Sequence, residues 1–163
     1  MGKNAVIIGA SGGIGSEITK SLIIQGYYVY ILGRSYSKIE DQLKTFDKSQ
    51  WSFCQMDLED LNSIQLNYNV LREKCENIDV FINSAGIGIF GSIEDISIEN
   101  LTKIFNVNLL GPILLLREIV IDMKKIGKGL IINIESIASV KAFSNGSMYI
   151  SSKYALAGFS EAL

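Results

Sequence analysis

Short apolar runs alternate with longer amphipathic segments along the whole chain. The apolar runs predict five β-strands, at residues 4–8, 28–32, 51–56, 80–83 and 130–134. The segments between them predict helices at residues 15–25, 37–46, 61–75 and 97–126, and a further helix begins near Ser147. This alternation is typical of an α/β fold in which helices cover both faces of a parallel sheet.

The fourth predicted helix is long and carries the single proline of the sequence. Pro112 follows Gly111 in its middle and predicts a kink there, not a domain boundary. Ser97 is a suitable N-cap at its start. Residues 113–116 and 119–121 make this helix apolar on nearly every side, so it needs cover beyond the sheet. We therefore expect a homo-oligomer in which this helix and the last helix contact a second subunit.

Length and composition indicate a single domain over residues 1–163. Hydrophobic residues make up 48% and charged residues 20%, and the formal net charge is −2, which argues against nucleic acid as a partner. The longest apolar stretch, residues 109–123, is interrupted by charged residues, so we predict no membrane span. The amino terminus lacks the apolar stretch of a signal peptide, and Val6 stands where myristoylation needs serine or threonine. We expect a cytoplasmic protein.

The residue types present limit the chemistry. The sequence contains no histidine, so proton transfer must use tyrosine, lysine, serine, cysteine or a carboxylate. Cys54 and Cys75 lie far apart and form no CxxC pair, which predicts two reduced and mostly buried thiols. We expect neither a disulfide nor a metal site.

A glycine-rich loop follows the first predicted strand and opens the first helix. Its spacing is GxxxGxG, from Gly9, Gly13 and Gly15, with Ser11 and Ile14 between them. Glycines let the backbone approach phosphates closely, and free amides at a helix start favour negative charge. The loop therefore predicts a binding site for a dinucleotide pyrophosphate. The alternative is a tight strand-to-helix turn without a ligand.

The end of the second predicted strand indicates which dinucleotide is bound. An acidic residue there would hold the adenosine ribose hydroxyls, whereas a basic one would hold a 2′-phosphate. The sequence has Arg34 and Ser35 and no carboxylate at this point. This pair favours NADP over NAD, although NAD stays possible. The alternative is a solvated loop arginine.

Tyr149 and Lys153 are four residues apart and share one face of the last predicted helix. A neighbouring ammonium favours the phenolate form of a tyrosine, so such a pair can act as an acid and base. Taken alone, this spacing is also common on ordinary helix surfaces.

Six motifs in the expected order give the pair its context, and with them the chain resembles the short-chain dehydrogenase/reductase family from Ala5 to its last residue. Ser136 precedes Tyr149 by 13 residues, as in the family pattern. The motifs are the glycine loop, Met56-Asp57-Leu58, Asn83-Ser84-Ala85-Gly86, Asn106-Val107-Asn108, Ser136, and Tyr149 with Lys153. The resemblance implies a doubly wound, Rossmann-like sheet with strand order 3-2-1-4-5.

The resemblance also implies roles for the motif residues. Tyr149 would exchange a proton with the substrate oxygen during hydride transfer, and Ser136 would hydrogen-bond that oxygen. Lys153 would stabilise the phenolate and hold the nicotinamide ribose, and Asn108 would position a water beside it. The adenosine half would contact Asp57, Leu58, Asn83, Ala85 and Gly86. Singly, the polar residues among these could equally cap loops or satisfy backbone groups.

Three residues depart from the family pattern. Ile8 replaces a threonine, and Ser84 replaces an asparagine whose side chain would brace the sheet. Glu135 places a carboxylate beside Ser136, and we expect it to point away from Tyr149.

The sequence ends within the last predicted helix, whereas family members continue with further strands. We interpret the chain as a fragment or a truncated product. Two functions follow: an NADP-dependent oxidoreductase acting on a small carbonyl or alcohol substrate, or a non-catalytic nucleotide-binding or interaction module.

Overall fold

Five parallel strands form a single sheet in the computed structural model, which describes residues 2–163. The strand order is β3-β2-β1-β4-β5, which confirms the predicted order and the α/β class. Each predicted strand is present within two residues of its predicted ends. The strands are β1 (Lys3–Ile8), β2 (Tyr27–Gly33), β3 (Trp51–Gln55), β4 (Val80–Asn83) and β5 (Leu130–Asn133).

Six α-helices connect and cover the strands. They are α1 (Gly13–Ile24), α2 (Tyr36–Gln42), α3 (Ile64–Lys74), α4 (Ile98–Phe105), α5 (Gly111–Ile126) and α6 (Ser147–Ala162). Helix α2 ends four residues before its predicted end, because Asp47 caps a new 3-10 turn at Lys48–Gln50 by accepting from the Ser49 N–H at 2.8 Å. Helix α3 begins three residues late, because the Asp60 carbonyl binds Ser63 in a preceding turn.

The core lies on both faces of the sheet, since successive strand residues point to opposite sides. On one face Val6 and Ile8 pack with Phe81 and with residues of α3 and α5. On the other face Ala5 and Ile7 pack with residues of α1 and α2. Strand β1 is therefore buried on both faces, which explains its continuous apolar run.

The predicted long helix is continuous, but a π turn at Asn106–Leu110 separates α4 from α5. The turn precedes Pro112, whose missing N–H rules out the ordinary helical bond to the Asn108 carbonyl. Gly111 also fits tightly here, because a Cβ at this position would lie 2.5 Å from the Leu58 carbonyl oxygen. The irregularity therefore lies at the predicted place, as a π turn. The predicted cap is confirmed, since Ser97 Oγ accepts from the Asn100 N–H at 3.1 Å.

The apolar middle of α5 is covered partly by this chain itself. Leu115, Leu116 and Ile119 are fully buried against the sheet and α3, whereas Ile121 is 42% exposed. By length and composition alone, Ile98–Ile126 could also cross a bilayer, and no other helix among residues 2–163 could. The contact with a second subunit stays a prediction.

Candidate functional site

The glycine loop is shaped by two close backbone approaches. Gly9 has φ +88°, and a Cβ there would lie 2.5 Å from the Ala85 backbone nitrogen. A Cβ on Gly15 would lie 2.8 Å from the Gly9 carbonyl carbon. Both positions therefore require glycine for the packing of β1, α1 and the loop after β4.

Gly13 differs from these two glycines because nothing lies within 4 Å of the place where its Cβ would be. It begins α1, and the N-cap residue Gly12 has no side chain to bind the first-turn N–H groups. A cavity of about 260 Å³ borders Gly12, Gly13, Ile14 and Gly15. The start of α1 is thus an open, electropositive surface that suits an anion.

A second cavity of about 230 Å³ extends to the other side of the glycine loop. Its lining includes Gly9, Ser11, Arg34, Ser35, Asp57 and Leu58. Both cavities border Gly12, Ser84, Ala85, Gly86 and Ile87, so they form one continuous cleft along the carboxyl ends of the strands. All predicted cofactor residues except Asn83 line this cleft.

Beside Arg34 lies a carboxylate, that of Glu59, which the sequence did not reveal. Arg34 Nη1 lies 4.0 Å from Glu59 Oε2, and Lys103 Nζ from α4 lies 3.4 Å from the same oxygen. Asp57 Oδ1 accepts from the Glu59 N–H at 3.0 Å, which fixes the turn carrying both acids. The only signal in the sequence for the location of Glu59 was its position two residues after Asp57.

Asn83 lies behind the cleft and holds its backbone. The Asn83 Oδ1 accepts from the Ala85 N–H at 3.2 Å, and its Nδ2 donates to Asn133 Oδ1 at 3.1 Å. Asn133 in turn donates to Ser160 Oγ on α6 at 2.9 Å. The side chain thus joins β4, β5 and α6, a role that sequence motifs alone could not assign to Asn133 or Ser160.

Tyr149 and Lys153 border the Gly13 end of the cleft, on one face of α6. Lys153 is 5% exposed, and its Nζ donates to the Ile134 carbonyl at 3.3 Å. A Cβ on Gly86 would lie 3.5 Å from Lys153 Nζ and 3.6 Å from Asn108 Oδ1. The structure therefore brings Lys153, Asn108 and the loop after β4 together.

Asn108 is fully buried in the π turn, and its amide is bonded on both sides. Its Oδ1 accepts from the Ile87 N–H at 2.8 Å, and its Nδ2 donates to the Ile87 carbonyl at 2.9 Å and to Ser152 Oγ at 3.0 Å. Asn108 thus holds the backbone of Ile87 and the Ser152 side chain on α6 together.

Glu135 and Ser136 follow β5, and of the two only Glu135 lines the cleft. Ser136 Oγ accepts from the Ala138 N–H at 3.1 Å and caps the 3-10 turn Ile137–Ser139. The Glu135 carboxylate accepts from Ser139 Oγ at 3.0 Å and from Ser160 Oγ at 3.4 Å. These two bonds hold the Glu135 carboxylate against Ser139 and Ser160, although the residue also borders the cleft.

The two cysteines lie in the core, away from the cleft. Both are free and buried, and burial raises the pKa of each thiol, to about 11 for Cys75. Within residues 2–163, no three carboxylate or thiol side chains are grouped to hold a metal ion. The cleft therefore offers polar side chains, backbone amides and one buried ammonium.

Comparisons with known proteins all point to one family. The family model described as short chain dehydrogenase matches residues 3–163. The chain is 35% identical over 98% of its length to the protein named probable short-chain type dehydrogenase/reductase VdlC of Helicobacter pylori, and 32% identical over 99% to an NADP-dependent 3-hydroxy acid dehydrogenase of Schizosaccharomyces pombe. It spans 57% and 64% of the lengths of these relatives.

A solved structure shows the same architecture. A metagenomic short-chain oxidoreductase in complex with NADP superposes with a TM-score of 0.92 at 29% identity. The match covers 98% of this chain and 74% of that one.

Proposed function

Because this chain belongs to the short-chain dehydrogenase family, we propose that it provides the cofactor-binding and catalytic part of an NADP-dependent oxidoreductase. The reaction is hydride transfer between a nicotinamide and a carbonyl or alcohol substrate. One observation carries this proposal: the buried Lys153 ammonium and the Tyr149 side chain lie at one end of a cleft that continues past the glycine loop to Arg34.

The cleft fits a dinucleotide in shape and charge. The open space at Gly13 and the uncapped start of α1 accept the pyrophosphate, with Ser11, Ile14 and Gly15 beside it. The continuous cavity leaves room on both sides of that point. An NADP-bound relative of the same fold supports this assignment.

The residues at the Arg34 end would bind the adenosine half. Arg34 and Ser35 hold the 2′-phosphate, because a guanidinium and a hydroxyl supply charge-assisted hydrogen bonds. Asp57 and the Leu58 backbone contact the adenine. Ala85 and Gly86 would hold the ribose, and Asn83 positions them through its bond to the Ala85 N–H.

At the other end, the residues of this chain move the proton. The bound nicotinamide supplies or accepts the hydride. Tyr149 donates its proton to the substrate oxygen, Ser136 hydrogen-bonds that oxygen, and the Lys153 ammonium stabilises the phenolate that remains. Asn108 is a positioning residue, since it holds Ile87 and Ser152 around Lys153.

Substitution of Tyr149 by phenylalanine tests this function. The change keeps the ring and removes the hydroxyl, so NADPH oxidation with a panel of ketones should fall by about 10²- to 10⁴-fold. NADPH binding, measured by fluorescence titration, should change little. Unchanged turnover would contradict the assigned mechanism, and NADPH binding by the unmodified protein without turnover of any ketone would favour the non-catalytic alternative.

A further inference from the structure

An exposed phenylalanine packs against the proposed catalytic tyrosine, and a second one packs against the first. The Phe90 ring centroid lies 5.4 Å from that of Tyr149 and 6.1 Å from that of Phe143. Phe90 is 60% exposed and Phe143 is 46% exposed, so both rings present apolar surface to the outside. We call Phe90, Phe143 and the ring of Tyr149 the aromatic wall.

The backbone fixes the position of this wall. The loop carrying Phe90 is tied to the loop carrying Phe143 by a hydrogen bond from the Gly91 N–H to the Asn145 carbonyl, at 2.9 Å. Phe90 lies over Gly88, where a Cβ would be 2.6 Å from the ring. Phe143 lies over Gly146, where a Cβ would be 2.9 Å from Cδ2 of its ring. Each ring therefore occupies space that a neighbouring glycine leaves free.

Charged side chains are absent from both segments that carry the wall. Residues 86–93 and 142–152 contain no aspartate, glutamate, lysine or arginine. Lys153, which follows, is buried and donates to the Ile134 carbonyl. Within these two segments a charged group on a substrate would thus find no counter-ion, whereas a hydrocarbon group would lose contact with water there.

We propose that the aromatic wall selects substrates with a hydrocarbon chain or ring attached to the reacting carbonyl carbon. This inference rests on the oxidoreductase function proposed above and adds a substrate class to it. In the reduction, hydride from NADPH bonds to the carbonyl carbon, and the Tyr149 proton bonds to its oxygen. The products are a secondary alcohol and NADP⁺, and a solvent proton restores Tyr149.

A homologous series of methyl ketones tests the proposal: butanone, octanone and dodecanone, with the anionic ketone levulinate for comparison. In the protein that carries this chain, kcat/KM for NADPH oxidation should rise with chain length, by up to about fourfold for each buried methylene. Levulinate should be the poorest substrate. Equal kcat/KM values along the series, or a preference for levulinate, would overturn the proposal.

Three variants separate the wall from a general effect on the fold. Phe90→Ala should flatten the dependence of kcat/KM on chain length, and Phe90→Leu should restore part of it. Leu66→Ala removes an exposed apolar side chain from α3, on another part of the surface, and should leave the dependence unchanged. An unaltered dependence in Phe90→Ala would overturn the proposal.

Binding to Tyr149→Phe distinguishes the wall from the proposed chemistry. This variant keeps all three rings, so with NADPH present it should bind dodecanone more tightly than butanone in calorimetry. Adding Phe90→Ala should abolish the difference. If that difference is seen while the unmodified protein turns over no ketone, the oxidoreductase function fails and the apolar site stands. If turnover is seen without the difference, only the aromatic wall fails.

Discussion

Glu59 lies between two cations at the end of the cleft where Arg34 is proposed to bind a 2′-phosphate. Its carboxylate is within 4.0 Å of Arg34 and 3.4 Å of Lys103. All three side chains are more than a third exposed, so their pairing adds little to stability. Its consequence is electrostatic, because the carboxylate reduces the positive potential that an incoming phosphate meets.

Substitutions of Arg34 and of Glu59 should shift the preference between NADPH and NADH in opposite directions. Arg34→Ala should weaken NADPH binding by about tenfold or more and NADH binding little, because it removes charge-assisted bonds to the phosphate. Glu59→Gln should strengthen NADPH binding by about two- to fivefold, because the variant lacks the carboxylate that repels the 2′-phosphate. Fluorescence titration with both cofactors checks this, with Glu73→Gln on α3 as a control. Equal effects on NADH and NADPH would refute the assigned phosphate site.

At the scale of elements, α3 and α5 are joined by a polar cluster around Asp122. Its Oδ2 accepts from Tyr68 Oη at 2.8 Å and lies 2.9 Å from Arg72 Nε, and its Oδ1 lies 3.0 Å from Lys125 Nζ. Burial of Asp122 opposes its charged form, but these partners outweigh it and lower its pKa below the usual aspartate range. Burial and the bond to Asp122 raise the pKa of Tyr68.

Asp122→Asn should lower the free energy of unfolding at pH 7 by about 1 to 2 kcal/mol, because the charged partners lose their anion. A depressed folded-state pKa stabilises the fold above the unfolded value, about 3.9, and this contribution disappears as the pH falls through the lower folded value. The gap between variant and parent should therefore close in acid. Urea unfolding at several pH values measures it, with the exposed Asp41→Asn as control. A gap of constant size would exclude this cause.

Most helices and strands were predictable from the sequence, whereas the π turn was not. Strand positions follow from apolar runs, most clearly for β1, β2 and β4, which are buried on the sheet faces. The break before Pro112 follows from its missing N–H. That the break takes the form of a π turn depends on contacts distant in sequence. Gly111 lies against the Leu58 carbonyl, and Asn106 Nδ2 donates to the Glu59 carbonyl at 3.1 Å. No local pattern contains them.

The candidate site was likewise predictable only in part. Tyr149 and Lys153 lie on one face of α6, as their spacing predicted, but that spacing is common and only the other motifs indicated a role for the pair. The roles of Asn83 and Asn108 depend on partners 50 and 21 residues away, which only the fold brings near. Phe90 and Phe143 carried no motif, because apolar residues in loops are common and their exposure is not visible in a sequence.

At the scale of the whole molecule, β1 is the centre of the sheet and β5 is one edge. Ala5, Val6 and Ile7 are fully buried, and β1 pairs with β2 and β4 on its two sides. In β5, Leu130 and Ile132 are exposed, and within residues 2–163 only β4 pairs with the strand.

Backbone amides of β1 should therefore exchange with solvent deuterium most slowly, at a rate set by global unfolding, whereas those of β5 should exchange through local opening. Hydrogen-exchange mass spectrometry with increasing urea distinguishes these regimes. Equal protection of β1 and β5 at all urea concentrations would contradict the expected difference.

The central position of β1 also decides how long one of its edges stays unpaired during synthesis. Its partner β2 and the next strand, β3, follow within the first 55 residues, but its second partner begins only at Val80. While the intervening residues are translated, one edge of this apolar strand lacks its neighbour. An unpaired apolar edge can pair with another nascent chain. The pace of translation between β3 and β4 thus sets how long each new molecule is exposed to aggregation.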